Sequence, residues 1–395
     1  MLQSTALPAL HSALTSLAEP VDGWLLFDFR GINPIMAAVM GPEIVGSRRQ
    51  YILIPRNGNP IALIHAVDDE LWRAWPAEWK KIVWIRREEL ARELKILVGG
   101  KTVAMEYSPK GDVPYGDYVP AGSLEFVRAA GATPVSSAEL VSRYCSAWTP
   151  ADLASHLRAA SACAAIAREA FVRIGERART ANPLSEHDVT AWILGAFARQ
   201  GLETISSPSV SYGINAARVH YEAPPEGSAA LVPGQLLLLD LWAKEPGGVF
   251  ADQTWMASIG TPSSRAAELW LVVQGARDAA LDLLRDRLSS GKPVTGGEAD
   301  RASREVIESA GFGDRTVCRT GHSIDRVGLH GLGPTIDDTE SYDSRRIIPG
   351  VGFSVEPGIY FPGDIGLRTE VNGHAREDGL DVTPGDYQKE LIVAG

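Results

Sequence analysis

Residues 236–254 read LLLLDLWAKEPGGVFADQT. An apolar run stops at Asp240, a KEPGG segment at 244–248 has turn composition, and a second apolar stretch carries Asp252. Asp240 closes a continuous apolar run, so its carboxylate is expected inside the protein. A carboxylate there needs a partner charge or a metal ion, because an isolated buried charge is strongly unfavourable. If KEPGG folds the two strands back as a hairpin, Asp240 and Asp252, 12 positions apart, meet at one spot. Taken alone, the segment fits equally an Asp240 that caps a helix or pairs with a basic side chain.

Three later segments share this property of placing an acid or a histidine in an apolar strand or sharp turn. Residues 321–330 read GHSIDRVGLH, with glycines ahead of both histidines that permit unusual backbone angles or close approach. His322 is a candidate metal ligand and His330 a candidate hydrogen-bonding group toward a substrate, though ordinary loop histidines look the same. Residues 353–360 read FSVEPGIY, where Pro357 favours an extended Glu356. Residues 367–371 read LRTEV, 14 positions further from Glu356 to Glu370. A hairpin through Pro362-Gly363-Asp364 would oppose Glu356 and Glu370, which is destabilising unless something positive lies between them. Four carboxylates and one imidazole suit a pair of borderline-to-hard divalent ions, whose four positive charges match the four acids. Such a pair acidifies water and stabilises a tetrahedral species, so the donor set points to a dinuclear hydrolase.

The rest of the chain bounds the alternatives. Its 395 residues carry 38 basic and 49 acidic side chains, a net charge of −11, with 45% hydrophobic residues. That length implies two or three domains with a substantial core. An acidic surface argues against nucleic acid or an anionic membrane as partner. Cys145, Cys163 and Cys318 are widely spaced and include no CxxC, so neither a disulfide framework nor a thiolate zinc site is expected. The first residues lack the basic and apolar regions of a signal peptide, and no apolar run is long enough to span a bilayer. The expected location is the cytoplasm.

Residues 1–147 read as a smaller α/β domain. Short apolar runs at 24–27, 51–54, 61–64, 82–85 and 102–105 alternate with a helical pattern at 87–98, and Asn57-Gly58 marks a hairpin. Residues 148–395 read as an α+β domain. Thr149-Pro150-Ala151-Asp152 opens a long helix whose inner face should hold Leu153, Leu157, Ala160, Ala164, Ala167, Phe171 and Ile174. Ser185 to Asp188 opens a second helix, and strands, two helices and further strands follow.

At the residues quoted above, the sequence resembles the pita-bread metallopeptidases, in the Xaa-Pro dipeptidase (prolidase) and Xaa-Pro aminopeptidase branch. That family's ordered Asp, Asp, His, Glu, Glu pattern is matched by Asp240, Asp252, His322, Glu356 and Glu370, with VEPGIY and RTE close to the family's wording. The resemblance covers about residues 150–395 well, and the first 147 residues more weakly. It implies a pita-bread catalytic domain behind a creatinase- or prolidase-like N-terminal domain. It also implies two divalent ions, manganese first with cobalt or zinc as alternatives, hydrolysis of the bond before proline in dipeptides or short peptides, and a homodimer. Asp240 would chelate one ion, Asp252 and Glu370 would bridge both, and His322 and Glu356 would complete the other. Glu356 would also act as general base, His220 and His330 would contact the scissile peptide, and Arg368 and Thr254 would support the ligand carboxylates. Arg368 read by itself is also compatible with a surface salt bridge. His11, His65, His156, His187 and His374 match nothing in the pattern.

The Asp–Asp and His–His spacings are each one residue longer than the family's usual ones. A spare residue inside a strand flips side-chain faces, so the first must sit in the KEPGG turn or a bulge, and Asp325-Arg326 is the candidate for the second. The cation that would bind a substrate carboxylate is left open among Arg48, Arg49, Arg326 or another. The alternatives retained are an aminopeptidase acting on longer peptides and a non-catalytic binding protein on the same fold.

Overall fold

Apolar runs of the first third become strands of one sheet. In the computed structural model, which describes all residues Met1–Gly395, the sheet has six strands. Their order is Lys80–Trp84, Ile61–His65, Gln50–Pro55, Gly23–Asp28, Thr102–Met105 and Thr133–Ser136. Gln50–Pro55 and Ile61–His65 form the antiparallel hairpin expected around Asn57-Gly58, with Gly58 at φ 94°. The helix Arg87–Val98 buries Leu90, Leu94, Leu97 and Val98. One expectation is corrected here: Ile85 lies outside its strand and is 66% exposed. Its N–H donates to the Glu89 carboxylate at 2.8 Å, so it belongs to the cap of the following helix. These elements lie in one compact unit, Met1–Cys145; the second is Ser146–Gly395.

In the second unit, Thr149 and Asp152 form a reciprocal capping box that starts the helix Pro150–Arg177. Its buried face includes His156, Ala160, Cys163, Ala167, Phe171 and Ile174. Leu157, expected inside, is 46% exposed. The true stripe runs through His156 and Ala159 beside it, one step round the helix, and small residues there allow close approach to the sheet. Ser185 and Asp188 form the second capping box, at the start of Glu186–Arg199.

That first helix packs on a four-stranded sheet ordered Ser209–Tyr212, Leu236–Ala243, Ala251–Ile259 and Ile392–Ala394. Apart from Asp240, the 236–243 strand is apolar because both faces are buried. Leu237, Leu239 and Leu241 join the core under Pro150–Arg177, while Leu236 and Leu238 join a second core with Leu269, Trp270 and Val273 of the helix Ser264–Ser289. Asp240 falls in the Leu236–Leu238 row, at the point where that second core ends.

A second four-stranded sheet is ordered Ser323–Ile324, Gly352–Val355, Val371–Arg376 and Gly379–Thr383. The hairpin Gly358–Phe361 with Ile365–Arg368 extends from it. No helix is long and apolar enough to cross a membrane.

Candidate active site

The strands 236–243 and 251–259 pair in unbroken antiparallel register, with Asp240 opposite Thr254 and Trp242 opposite Asp252. Asp240 and Asp252 are therefore diagonal neighbours on one face. No bulge interrupts the ladder, so the extra residue of the longer spacing lies in the turn between the strands. Asp252 is further clamped by Asn372 of the second sheet. The Asn372 amide donates to the Asp252 carbonyl at 2.7 Å and accepts from its N–H at 2.9 Å.

Glu356 and Glu370 come from the other hairpin. Val355 pairs with Val371 and Gly358 with Arg368, so one register passes through both pairs and sets Glu356 opposite Glu370. Between those pairs the strands part: the Glu356 N–H donates to Thr320 O at 2.6 Å and the Glu370 N–H to Thr254 O at 3.3 Å. Both carboxylates are thereby drawn toward the Asp240–Asp252 sheet and the His322 segment.

His322 enters from a tight crossing. A Cβ on Gly321 would lie 2.0 Å from the Ser354 carbonyl oxygen, so this glycine serves close approach and not an unusual backbone angle. The His322 N–H donates to Ser354 Oγ at 3.0 Å, and its Nδ1 lies 3.1 Å from Ser323 O. Nε2 is left facing the acids, 3.3 Å from both Asp252 Oδ2 and Glu356 Oε1. Asp325 shapes the loop that follows, accepting from the N–H groups of Val327 at 2.8 Å and Leu332 at 2.7 Å. The loop sets the His330 ring 4.1 Å from the His322 ring.

Arg368 is 5% exposed, which rules out the surface salt bridge. Its guanidinium donates to Asp240 and, at 2.9 Å, to Thr254 Oγ1. Thr254 Oγ1 in turn donates to Glu370 Oε2 at 2.9 Å. This relay ties one carboxylate of each hairpin to a single guanidinium.

The electrostatics of the cluster ask for more positive charge. Burial, and then the neighbouring acids Asp252 and Glu356, outweigh Arg368 and push Asp240 up to about 7. Burial likewise raises Asp252, and raises Glu370 well above the usual carboxylate range with Asp252 and Glu356 adding to it. At His322 burial opposes charge, but the Asp252 hydrogen bond and the Glu356 carboxylate win and raise the imidazole. Asp252 Oδ1 and Glu370 Oε1 are buried without any hydrogen-bond partner. Ligand atoms of Asp252, His322 and Glu370 lie within 4.8 Å of one another. Unpartnered carboxylate oxygens beside an imidazole nitrogen are the donors a divalent cation takes, so the residues fit such ions.

These groups line a cavity of about 630 Å³ that also includes His220, His330, Arg319 and Glu340. Ile205, Val219, Trp242 and Leu329 give it an apolar wall. Burial, then the His322 charge, pulls His330 down to about 4, so its imidazole is neutral near pH 7. Arg319 is clasped to Glu340, its N–H 3.1 Å from Oε1 and Nη1 3.2 Å from Oε2. Of the cations left open for a substrate carboxylate, Arg326 pairs with Asp152 at 3.4 Å, whereas Arg319 lines the cavity. Sequence reasoning missed Arg319 and Asn372. The Arg319-Thr320-Gly321-His322 sequence was the available signal for the first.

A sequence profile for metallopeptidase family M24 matches residues 155–377. The chain is 32% identical over 213 residues to a probable dipeptidase PepE of Mycobacterium tuberculosis, covering 53% of this chain and 52% of that protein. It is 31% identical over 182 residues to an Xaa-Pro dipeptidase of Lactobacillus helveticus, covering 46% of this chain and 44% of that protein. The matches thus span about half the length of these relatives. The crystal structure of dipeptidase PepE from Mycobacterium ulcerans shares the fold over 100% of both chains, at TM-score 0.73 and 22% identity.

Proposed function

The chain belongs to metallopeptidase family M24, and on that premise we propose that it is a dinuclear metal-dependent dipeptidase that cleaves the bond preceding proline. The observation that carries the reading is the buried cluster itself: four acids and His322, with two carboxylate oxygens unpartnered, at the floor of a cavity flanked by His220 and His330.

Asp240 would hold one ion, Asp252 and Glu370 both, and His322 with Glu356 the second. When bound, the ions supply Lewis acidity toward the scissile carbonyl and lower the pKa of the attacking water. Glu356 takes the water's proton and delivers it to the departing nitrogen. Neutral His330 holds the scissile peptide by hydrogen bonds together with His220. The apolar wall receives the side chains of the substrate, and Arg319 receives its carboxylate, exchanging with Glu340. Manganese is the first choice of metal, with cobalt or zinc next. A homodimer and a cytoplasmic location complete the reading, the latter supported by three cysteines that form no disulfide.

A broader dipeptidase is the second reading. It is favoured by the relative whose name specifies a dipeptidase without proline, and by a wall that is apolar without being shaped by a visible proline-specific contact. Assays of protein loaded with Mn, Co or Zn on Ala-Pro, Ala-Ala and Ala-Pro-Ala separate the readings. Preference for Ala-Pro supports the proposal, comparable Ala-Ala cleavage the second reading, and preference for Ala-Pro-Ala an aminopeptidase. Full activity after removal of all metal overturns the metal-dependent readings together.

A further inference from the structure

Glu186 is the first residue of the helix Glu186–Arg199 and is fully buried. Its carboxylate forms no salt bridge. It is satisfied instead by four donors, all from the segment 212–229. The N–H of Tyr212 reaches Oε1 at 2.7 Å and the Asn215 amide at 2.9 Å. The Tyr221 hydroxyl reaches Oε2 at 2.6 Å and the N–H of Ala229 at 3.0 Å. The Glu186 N–H returns a bond to Ala229 O at 3.0 Å. The helix N-terminus adds a favourable field for the negative charge.

The segment so gathered is the long connection between the strands 209–212 and 236–243, whose regular structure is the single helical turn Gly213–Ala217. His220 stands in its middle and lines the cavity. Its place is set by the next residue, Tyr221, which is held at three points. The hydroxyl of Tyr221 goes to Glu186, its carbonyl accepts from Ser209 Oγ at 2.7 Å, and its N–H donates to Arg218 O at 3.0 Å. Ser209 pairs with Asp240 in the sheet, so the segment is referenced directly to the strand that carries a metal-ligand candidate. Burial, reinforced by the Glu186 carboxylate, pushes the Tyr221 hydroxyl up to about 12, which keeps it a donor.

We propose that Glu186 is a positioning residue for His220, its buried carboxylate gathering four points of the 212–229 segment so that the imidazole meets the substrate. The proposal rests on the reading of His220 as a group that contacts the scissile peptide. Because the carboxylate is the shared acceptor of all four donors, no single loop contact can replace it. A small displacement of a group that orients substrate reduces turnover far more than it reduces stability.

The test is a double-mutant cycle on the metal-loaded full chain, with Glu186→Gln, His220→Ala and the pair, reading kcat, KM, metal content and amide hydrogen exchange. Glutamine keeps the shape but offers one acceptor oxygen where two served four donors. The expected result is a kcat loss on the order of tenfold to a hundredfold for Glu186→Gln. Metal content should be unchanged and amides of 212–230 should exchange faster. In the His220→Ala background, Glu186→Gln should then cost less than about twofold more. Losses that multiply, or unchanged exchange in 212–230, overturn the proposal. Tyr221→Phe removes one donor and keeps the buried ring, so it repeats the test in milder form if Glu186→Gln fails to fold. Wild-type turnover by His220→Ala would instead overturn the role of His220, a result distinct from multiplying losses beside a crippled His220→Ala.

Discussion

Glu356 and Glu370 face each other at the one place where a continuous hairpin register parts. The pairs Val355–Val371 and Gly358–Arg368 fix them in opposition, yet their backbone N–H groups donate to different segments. Two acids opposed in this way repel, and the fold holds them there by the ladder on either side. Repulsion built into a rigid frame is affinity held in reserve for a cation.

Glu356→Gln should therefore lower kcat/KM for Ala-Pro by about 10²–10⁴-fold, the range of a lost general base. Metal binding should weaken with it. His330→Ala should lower turnover while metal content stays near the wild-type level, since His330 lines the cavity without joining the acids. Elemental analysis and steady-state assays of the two variants check both. Loss of metal in His330→Ala would reverse the roles of the two histidines.

Metal loading should stabilise the Ser146–Gly395 unit. An ion at one hundred times its Kd adds about 2.7 kcal/mol per site to a state that alone binds it. For a unit of this size that corresponds to roughly 5–10 °C per site. Differential scanning calorimetry with chelator and with Mn reads the shift. An unchanged transition would count against the cluster as a metal site.

Arg368→Lys should reduce metal affinity or turnover by about 10–100-fold, the usual effect of disturbing a group that orients ligand side chains. Lysine retains the charge but cannot reach Asp240 and Thr254 together with a planar fork. Calorimetric metal titration of the variant tests this; wild-type affinity would mean that the Arg368–Thr254–Glu370 relay is incidental.

His156 and Glu106, one in each unit, should contribute to stability with opposite pH dependence. Burial pulls His156, bonded to Phe250 O and Thr383 Oγ1 at 2.7 Å each, from 6.5 down to about 4. Unfolding frees this imidazole to take a proton, so its contribution is full above pH 6.5 and declines toward pH 4, by about 3 kcal/mol at most. Burial pushes Glu106 the other way, from 4.5 up to about 7, despite hydrogen bonds from Trp24, Asn33 and Ser137. Its contribution is present below pH 4.5 and declines as pH rises toward 7, again by about 3 kcal/mol at most. Hydrogen exchange of the slowest amides in each unit at pH 5 and 7, compared between wild type and Glu106→Gln, isolates the Glu106 contribution. Glu106→Gln should change the pH slope of its own unit and leave that of the other, and equal slopes in wild type and Glu106→Gln would refute the assignment.

What the sequence disclosed depended on whether a residue's neighbours in the chain are also its neighbours in space. Asp240 was legible because a strand buried on both faces leaves no wet side for an acid, and the run of leucines says so directly. Glu356 and Glu370 were legible because one hairpin joins them. Leu157 was misplaced because helical spacing defines a stripe but not its edges, and alanines packed close to the sheet moved that stripe by one position. Glu186 was illegible. Following Ser185 it reads as an ordinary first-turn acid, and its four donors lie 26 to 43 positions away. Asn372 was hidden for the same reason, since its partner Asp252 is 120 positions back.

The clamp between Asn372 and Asp252 also orders events in time. From Asp240 to Glu370 the donors span 130 positions, and the amide that fixes Asp252 comes after the last of them. A growing polypeptide exposes the two aspartates long before His322, Glu356 or Glu370 has been made. The full donor set would therefore exist only once the two sheets have met, so ions held by it would bind the folded unit instead of seeding it.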